Sequence, residues 1–108
     1  MRVAVLADIG QPVYHVGDEA IAHAVHDELR ARGVRPVLLT RDVRHTRTYF
    51  GPVSATPTLA FPWGPLDREE YLAAIEATLT GAAAPLPASD PAHAFIETLR
   101  GVDAVLIA

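Results

Sequence analysis

The chain has 108 residues, of which 50% are hydrophobic and 20% charged, so its composition is that of one globular domain and not of a disordered segment. Its net charge is −4 and its basic residues form no cluster, which argues against nucleic acid as a partner. All nine basic residues are arginine and cysteine is absent. Lysine Schiff-base chemistry, disulfides and thiolate metal sites are therefore excluded.

The first apolar run predicts a buried strand. Residues 2–8 (RVAVLAD) are rich in valine, which is typical of a strand covered on both faces of a parallel sheet. The run ends at Asp8 after five apolar residues, too few for the core of a signal peptide. No stretch approaches the roughly 20 apolar residues of a membrane span. We therefore expect a cytoplasmic protein with no transmembrane segment.

A long loop separates this strand from the first predicted helix. The helical period starts near Asp18, and Gly33 is placed to end the helix. One side of this helix is apolar (Ile21, Ala24, Val25, Leu29) and the other is polar (Glu19, His23, Asp27, Arg30). Residues 35–42 (RPVLLTRD) then predict a second buried strand. Strand, helix and strand form a right-handed parallel βαβ unit.

The middle of the chain has weaker patterns. Residues 43–51 fit a short helix or a loop, and Pro57 restricts residues 53–61 to a short or edge strand. Residues 66–81 predict a helix with Asp67 as its N-cap, Glu70 completing a capping box, and an apolar stripe formed by Leu72, Ile75 and Leu79.

The C-terminal part predicts a linker, a helix and a strand. Residues 82–92 are rich in alanine and proline and too poor in large apolar side chains to pack as a core element. A helix follows, with Asp90 as N-cap and Pro91 in its first position. Residues 102–108 (VDAVLIA) predict another strand of the buried type.

Together these elements predict an α/β fold, a Rossmann-like three-layer sandwich with a mostly parallel sheet, formed by residues 1–108 as one domain. The last strand ends at Ala108, and in such sheets the loops after the strands form the ligand crevice. We therefore expect this domain to be the N-terminal fragment of a longer protein.

The loop before the first helix holds the candidate substrate-binding residues Gly10, His15, Gly17, Asp18 and Glu19. It lacks a G-x-G-x-x-G pattern, and carboxylates in the first helical turn would repel a phosphate. Sugar hydroxyls, in contrast, could donate hydrogen bonds to those carboxylates. The alternative is that Gly17, Asp18 and Glu19 are only an ordinary helix start, and the pattern leaves both interpretations open.

Other polar and aromatic residues give weaker hypotheses. His23 and His26 lack a third ligand, so we expect solvated histidines and no metal site. The residues after the second strand either meet an anionic ligand or form a solvated loop (Arg41, Arg44, His45, Arg47). Three aromatic residues are expected to pack and not to form a stacking platform (Tyr49, Phe50, Trp63). The pattern assigns no catalytic residue.

Three segments resemble the N-terminal part of the polysaccharide pyruvyl transferase family: residues 2–10 (RVAVLADIG), 16–33 (VGDEAIAHAVHDELRARG) and 35–42. The family has a Gly-Asp-Glu-Ala helix start, which Gly17, Asp18, Glu19 and Ala20 match, and commonly has Asn where this chain has His15. The last strand matches by position only, and residues 43–86 resemble nothing that we can identify.

The resemblance implies a two-domain fold like that of GT-B glycosyltransferases, without a cofactor. The implied reaction transfers a pyruvyl group from phosphoenolpyruvate to the hydroxyls of a sugar or glycan acceptor. The donor is expected largely on the second domain, so the opening loop would face the acceptor, and the 108-residue chain alone would be inactive. The alternatives are a non-catalytic Rossmann-like binding module and half of another GT-B glycosyltransferase. An unprotected sheet edge would favour a homo-oligomer.

Overall fold

Helices and strands alternate along most of the chain in the computed structural model, which describes residues 1–83 and 85–108. The elements are β1 (Arg2–Leu6), α1 (Val16–Ala31), β2 (Arg35–Thr40), α2 (Val43–Phe50), β3 (Ala55–Pro57), α3 (Pro65–Thr80), α4 (Ala92–Arg100) and β4 (Ala104–Ile107). All four strands of the described residues pair in parallel, in the order β3-β2-β1-β4. The predicted Rossmann-like α/β class is confirmed.

The core lies on the two central strands, β1 and β2. Val5 pairs with Leu38 on one side and with Leu106 on the other. Val5 and Leu38 are fully buried and form one cluster with Ile9, Ala22 and Val53. The continuous apolar runs in the sequence are thus explained, because these two strands have neighbours on both edges and are covered on their faces.

The buried face of α1 differs from the predicted apolar stripe. Glu19 and His26 are buried on this helix, whereas Ile21 is half exposed. His23 stacks on Phe50 of α2, with 3.7 Å between ring centroids, and His26 meets the edge of the same ring. The prediction that both histidines are solvated is therefore wrong, because α2 covers the side of α1 that carries them.

Helix α3 begins before the predicted cap. Its N-cap is Gly64 and its first residue is Pro65, so Asp67 lies inside the first turn and is not the N-cap. Proline at the first helical position needs no hydrogen-bond acceptor and has the helical φ already fixed, which explains the earlier start. The predicted stripe packs poorly, since Leu72 and Leu79 are half exposed. Helix α4, not α3, provides the main contact with β3.

Asp90 connects α3 to the start of α4. The predicted N-cap is wrong by one residue, because α4 begins at Ala92 and its N-cap is Pro91, but Asp90 Oδ1 still accepts a hydrogen bond from the Ala92 N–H at 2.8 Å. The Tyr71 hydroxyl also donates to this oxygen, at 3.1 Å. Burial of the Tyr71 ring, the hydrogen bond and the Asp90 charge together raise the pKa of Tyr71 above its usual value of 10.0.

Two described residues of the predicted linker, residues 82–92, are buried: Leu86 and Ala92. Leu86 is buried, and its N–H donates to Thr78 Oγ1 at 2.9 Å. The segment forms no helix or strand before α4, but Leu86 packs beside α3, which its composition did not predict. Ala84, in the same segment, lies outside the described residues.

The two edges of the sheet differ. At one edge β3 is only three residues long and ends at Pro57, as the proline predicted. At the other edge β4 pairs with β1 alone, and Ile107 is 77% exposed. β4 is thus a parallel strand as predicted but not a buried one, because no described element covers it. Within the described residues, none of the helices combines the length and apolar character that a bilayer-spanning segment requires.

Candidate functional site: a cleft at the carboxyl ends of the strands

The carboxyl ends of β1, β2 and β3 meet at one edge of the sheet and bring Asp8, Arg41 and Thr58 together. Two adjoining cavities of about 260 and 370 Å³ share the residues Arg41, Thr58 and Leu59, and we call them together the cleft. The smaller cavity is also lined by Leu6, Ala7, Asp8, Ile107 and Ala108, and the larger by Gly10, Gln11, Pro12, Asp42, His45 and Ala60. The size of the larger cavity is within the range of small-molecule sites.

An exposed ion pair between Asp8 and Arg41 lines the cleft. Arg41 Nε is 3.4 Å from Asp8 Oδ1, and the Gln11 side-chain amide donates to the same carboxylate oxygen. Both members of the pair are about half exposed. Exposed ion pairs contribute little to stability, so a ligand can exchange hydrogen bonds with either partner at small cost. The cleft thus offers a guanidinium donor, a carboxylate acceptor and, on Thr58, a hydroxyl that can do both.

His15 lies between two carboxylates at the start of α1. Its Nδ1 is 3.6 Å from Asp18 Oδ2 and 4.0 Å from Asp8 Oδ2, and all three side chains are about half exposed. The three ligand atoms lie within 4.8 Å of one another, a spacing that a metal ion could bridge. The Arg41 guanidinium competes with a cation for Asp8. The expectation of no metal therefore stays a prediction.

Glu19 has a different place, beneath the loop. Its side chain is 1% exposed, and Oε1 accepts a hydrogen bond from the Gly10 N–H at 3.1 Å. The second oxygen, Oε2, is buried and has no hydrogen-bond partner among the described residues. Glu19 therefore joins the loop to α1 through its hydrogen bond with Gly10, and its buried carboxylate is not on the cleft surface.

Gly10 is held against the end of β2. Its φ is +75°, a conformation that side chains with a Cβ rarely adopt. A Cβ at this position would collide with Thr40 Oγ1 and lie 2.6 Å from the Asp42 nitrogen. Gly17 differs, because it is exposed in the first turn of α1 and a Cβ there would meet nothing within 4 Å.

The predicted site residues thus divide into three groups. In the first group, His15 and Asp18 lie beside Asp8. In the second, the hydrogen bond between Gly10 and Glu19 holds the loop. The third is Gly17, at which an added Cβ would meet nothing within 4 Å. Sequence reasoning missed the functional positions of Asp8 and Thr58. Thr58 directly follows β3 and Asp8 comes two residues after β1, and for Asp8 this position was a usable signal.

The residues after β2 have different surroundings. Arg41 and His45 line the cleft, whereas Arg47 donates to the Val53 carbonyl and supports the loop before β3. Phe50 packs against the core, as predicted. Trp63 is 92% exposed, so the expectation that it is a packing residue is wrong.

Fold and site together define a Rossmann-like α/β domain with a polar cleft at the carboxyl edge of its sheet. Comparison with protein-family models, with curated proteins and with solved structures finds no match to this chain. The evidence for its function therefore comes from the cleft and from the sequence resemblance.

Proposed function

We propose that the cleft binds a sugar and that this chain provides the acceptor side of an enzyme like the polysaccharide pyruvyl transferases. The observation that supports this best is the alternation of hydrogen-bonding groups at the strand ends. Asp8 accepts, Arg41 donates and Thr58 does both, all beside one cavity of about 260 Å³. Adjacent hydroxyls of a sugar ring are donors and acceptors in the same way, so the two surfaces are complementary.

The charges around the cleft favour a neutral ligand over a phosphate. Asp8 and Asp18 lie at the N-terminal end of α1, where a bound phosphate would need the positive end of the helix dipole free. The Arg41 guanidinium is already paired with Asp8. A nucleotide sugar or phosphoenolpyruvate is therefore disfavoured here, in agreement with the resemblance, which implies that the donor binds largely on another domain.

Ketal formation requires that the acceptor lose two protons. Both hydroxyl oxygens bond to the central carbon of phosphoenolpyruvate and the phosphate leaves. One proton ends on the methylene carbon, which becomes a methyl group, and the other ends on the phosphate. His15 Nδ1, flanked by Asp18 and Asp8, is the group at this edge suited to accept a hydroxyl proton, and the carboxylates would stabilise the imidazolium that forms. His15 stands where the family commonly has Asn, so this role would be particular to this chain.

Saturation-transfer NMR with methyl glycosides tests the proposal. The panel comprises glucose, galactose, mannose, N-acetylglucosamine and N-acetylmannosamine derivatives, with phosphoenolpyruvate measured separately. We expect at least one glycoside to bind, and Asp8→Asn or Arg41→Gln to weaken it about tenfold, since each removes one charged hydrogen-bonding group. Arg32→Gln is the matched control, because Arg32 pairs with Glu28 on the outer surface of α1. Binding of phosphoenolpyruvate but of no glycoside would contradict the proposal.

A further inference from the structure

Three aromatic rings stand beside the cleft, and we call Tyr14, His45 and Tyr49 the aromatic platform. The ring centroids of Tyr14 and Tyr49 are 4.5 Å apart, and those of His45 and Tyr49 are 4.8 Å apart. Tyr14 comes from the loop before α1, while His45 and Tyr49 are one turn apart on α2. Two separate elements therefore build one aromatic surface.

The two tyrosines of the platform are open to solvent although their rings touch one another. Tyr14 is 39% exposed and Tyr49 is 48% exposed. Neither tyrosine belongs to the core cluster, whose aromatic member is Phe50. The expectation that Tyr49 is only a packing residue is thus incomplete, because its ring packs on another exposed ring and not into the interior. A preformed, half-exposed aromatic surface is typical of a ligand-contacting site, since rigid rings lose little conformational entropy on binding.

The platform is continuous with the cleft through His45. This residue belongs to the platform and also lines the cavity of about 370 Å³, together with Gly10, Gln11 and Asp42. Its Nδ1 is buried without a hydrogen-bond partner among the described residues, so this side of the ring faces the protein and not the solvent. A ligand that fills the cavity would therefore have its next unit over the tyrosines.

We propose that the aromatic platform is a second sugar subsite, so that the acceptor is an oligosaccharide and not a monosaccharide. The inference rests on the proposed function of the cleft. One face of a pyranose ring presents only C–H groups, which carry partial positive charge and pack on the electron-rich face of an aromatic ring. A cationic peptide could also use aromatic faces, but the exposed Arg44, next to His45 on α2, carries a positive charge that would repel it.

A titration series by sugar length tests this subsite. The ¹⁵N-labelled chain is titrated with the methyl glycoside that binds best and with the corresponding β-1,4-linked di- and trisaccharides, and affinities are taken from amide shifts. We expect affinity to rise roughly tenfold from the monosaccharide to the longer sugars, in keeping with the worth of one aromatic contact. Tyr14→Ala and Tyr49→Ala should each remove most of this rise and leave the monosaccharide affinity unchanged.

Trp63→Ala is the matched control, because it removes an exposed aromatic ring that has no place in the platform. Tyr49→Phe keeps the ring and should keep the rise, which separates stacking from loss of folding. Equal affinities for all sugar lengths would overturn the second subsite while the sugar cleft stands. If no sugar of any length binds, both proposals fail. Binding of an arginine-rich peptide at the tyrosines, with no length effect among sugars, would also overturn the subsite.

Discussion

Replacing Glu19 by alanine tests how the opening loop is held. In the folded chain the Gly10 N–H donates to the buried Glu19 carboxylate at 3.1 Å. Glu19→Ala leaves this N–H buried without an acceptor, which costs about 1–3 kcal/mol, and it removes one buried methylene, worth about 0.8 kcal/mol. Part of the cost is offset, because the unpartnered Oε2 no longer has to be buried. We expect a net loss of roughly 1–3 kcal/mol in the free energy of unfolding.

Glu19→Gln separates the hydrogen bond from the charge. The amide oxygen can still accept from Gly10, and a neutral group is cheaper to bury, so we expect a change within about 1 kcal/mol of the wild type. Urea unfolding followed by circular dichroism measures both variants. Glu28→Ala is the control on the same helix, where an exposed pair with Arg32 is worth about 0.3–0.5 kcal/mol. Equal losses for the alanine and glutamine variants would refute the reasoning, since the charge and not the hydrogen bond would then hold the loop.

Three further predictions concern Gly10 and Gly17, the start of α2, and the partly buried Tyr71. Gly10→Ala should lower the free energy of unfolding by about 2–4 kcal/mol, since it adds a positive-φ penalty to a clash with β2. Gly17→Ala should leave the free energy of unfolding unchanged or raise it by up to about 1 kcal/mol. Chemical denaturation measures both variants. Asp42→Ala should cost about 0.5–2 kcal/mol in the same assay, since the Asp42 carboxylate caps α2 by accepting from the His45 N–H, and a loss below that range would contradict the capping role. In an absorbance titration at 295 nm, the signal that Tyr71→Phe removes should have its midpoint above pH 10, and Asp90→Asn should move that midpoint back toward 10. Because the pKa of Tyr71 is raised on folding, its contribution to stability is present below pH 10 and is lost as pH rises through the higher value; an unshifted midpoint would show that the Tyr71–Asp90 contact is absent.

The sheet could be predicted from the sequence because its signals are local. Continuous apolar runs indicated β1 and β2, and Pro57 indicated a short edge strand. The buried face of α1 could not be predicted in the same way. Glu19 and His26 look like solvent-facing residues on a helical wheel, but Glu19 accepts from the Gly10 N–H and His26 meets the Phe50 ring, and both contacts come from outside the helix.

Only part of the candidate site could be predicted from the sequence. His15 and Asp18 belong to one loop and helix start, so their proximity follows from local geometry. Asp8 and Thr58 are fifty residues apart, and they line the same cavity only because β2 lies between β1 and β3 in the sheet. Strand order is a property of the whole fold, and the pattern of residues around either position does not encode it.

Amide shifts of the ¹⁵N-labelled chain, recorded with the best-binding methyl glycoside and separately with phosphoenolpyruvate, test the central claim most directly. We expect the glycoside to move the amide signals of the residues at the cleft and beside it (Asp8, Gly10, His15, Asp18, Arg41 and Thr58), and phosphoenolpyruvate to leave them in place. Shifts of these same signals with phosphoenolpyruvate, and none with any glycoside, would contradict it and would make this edge an anion site.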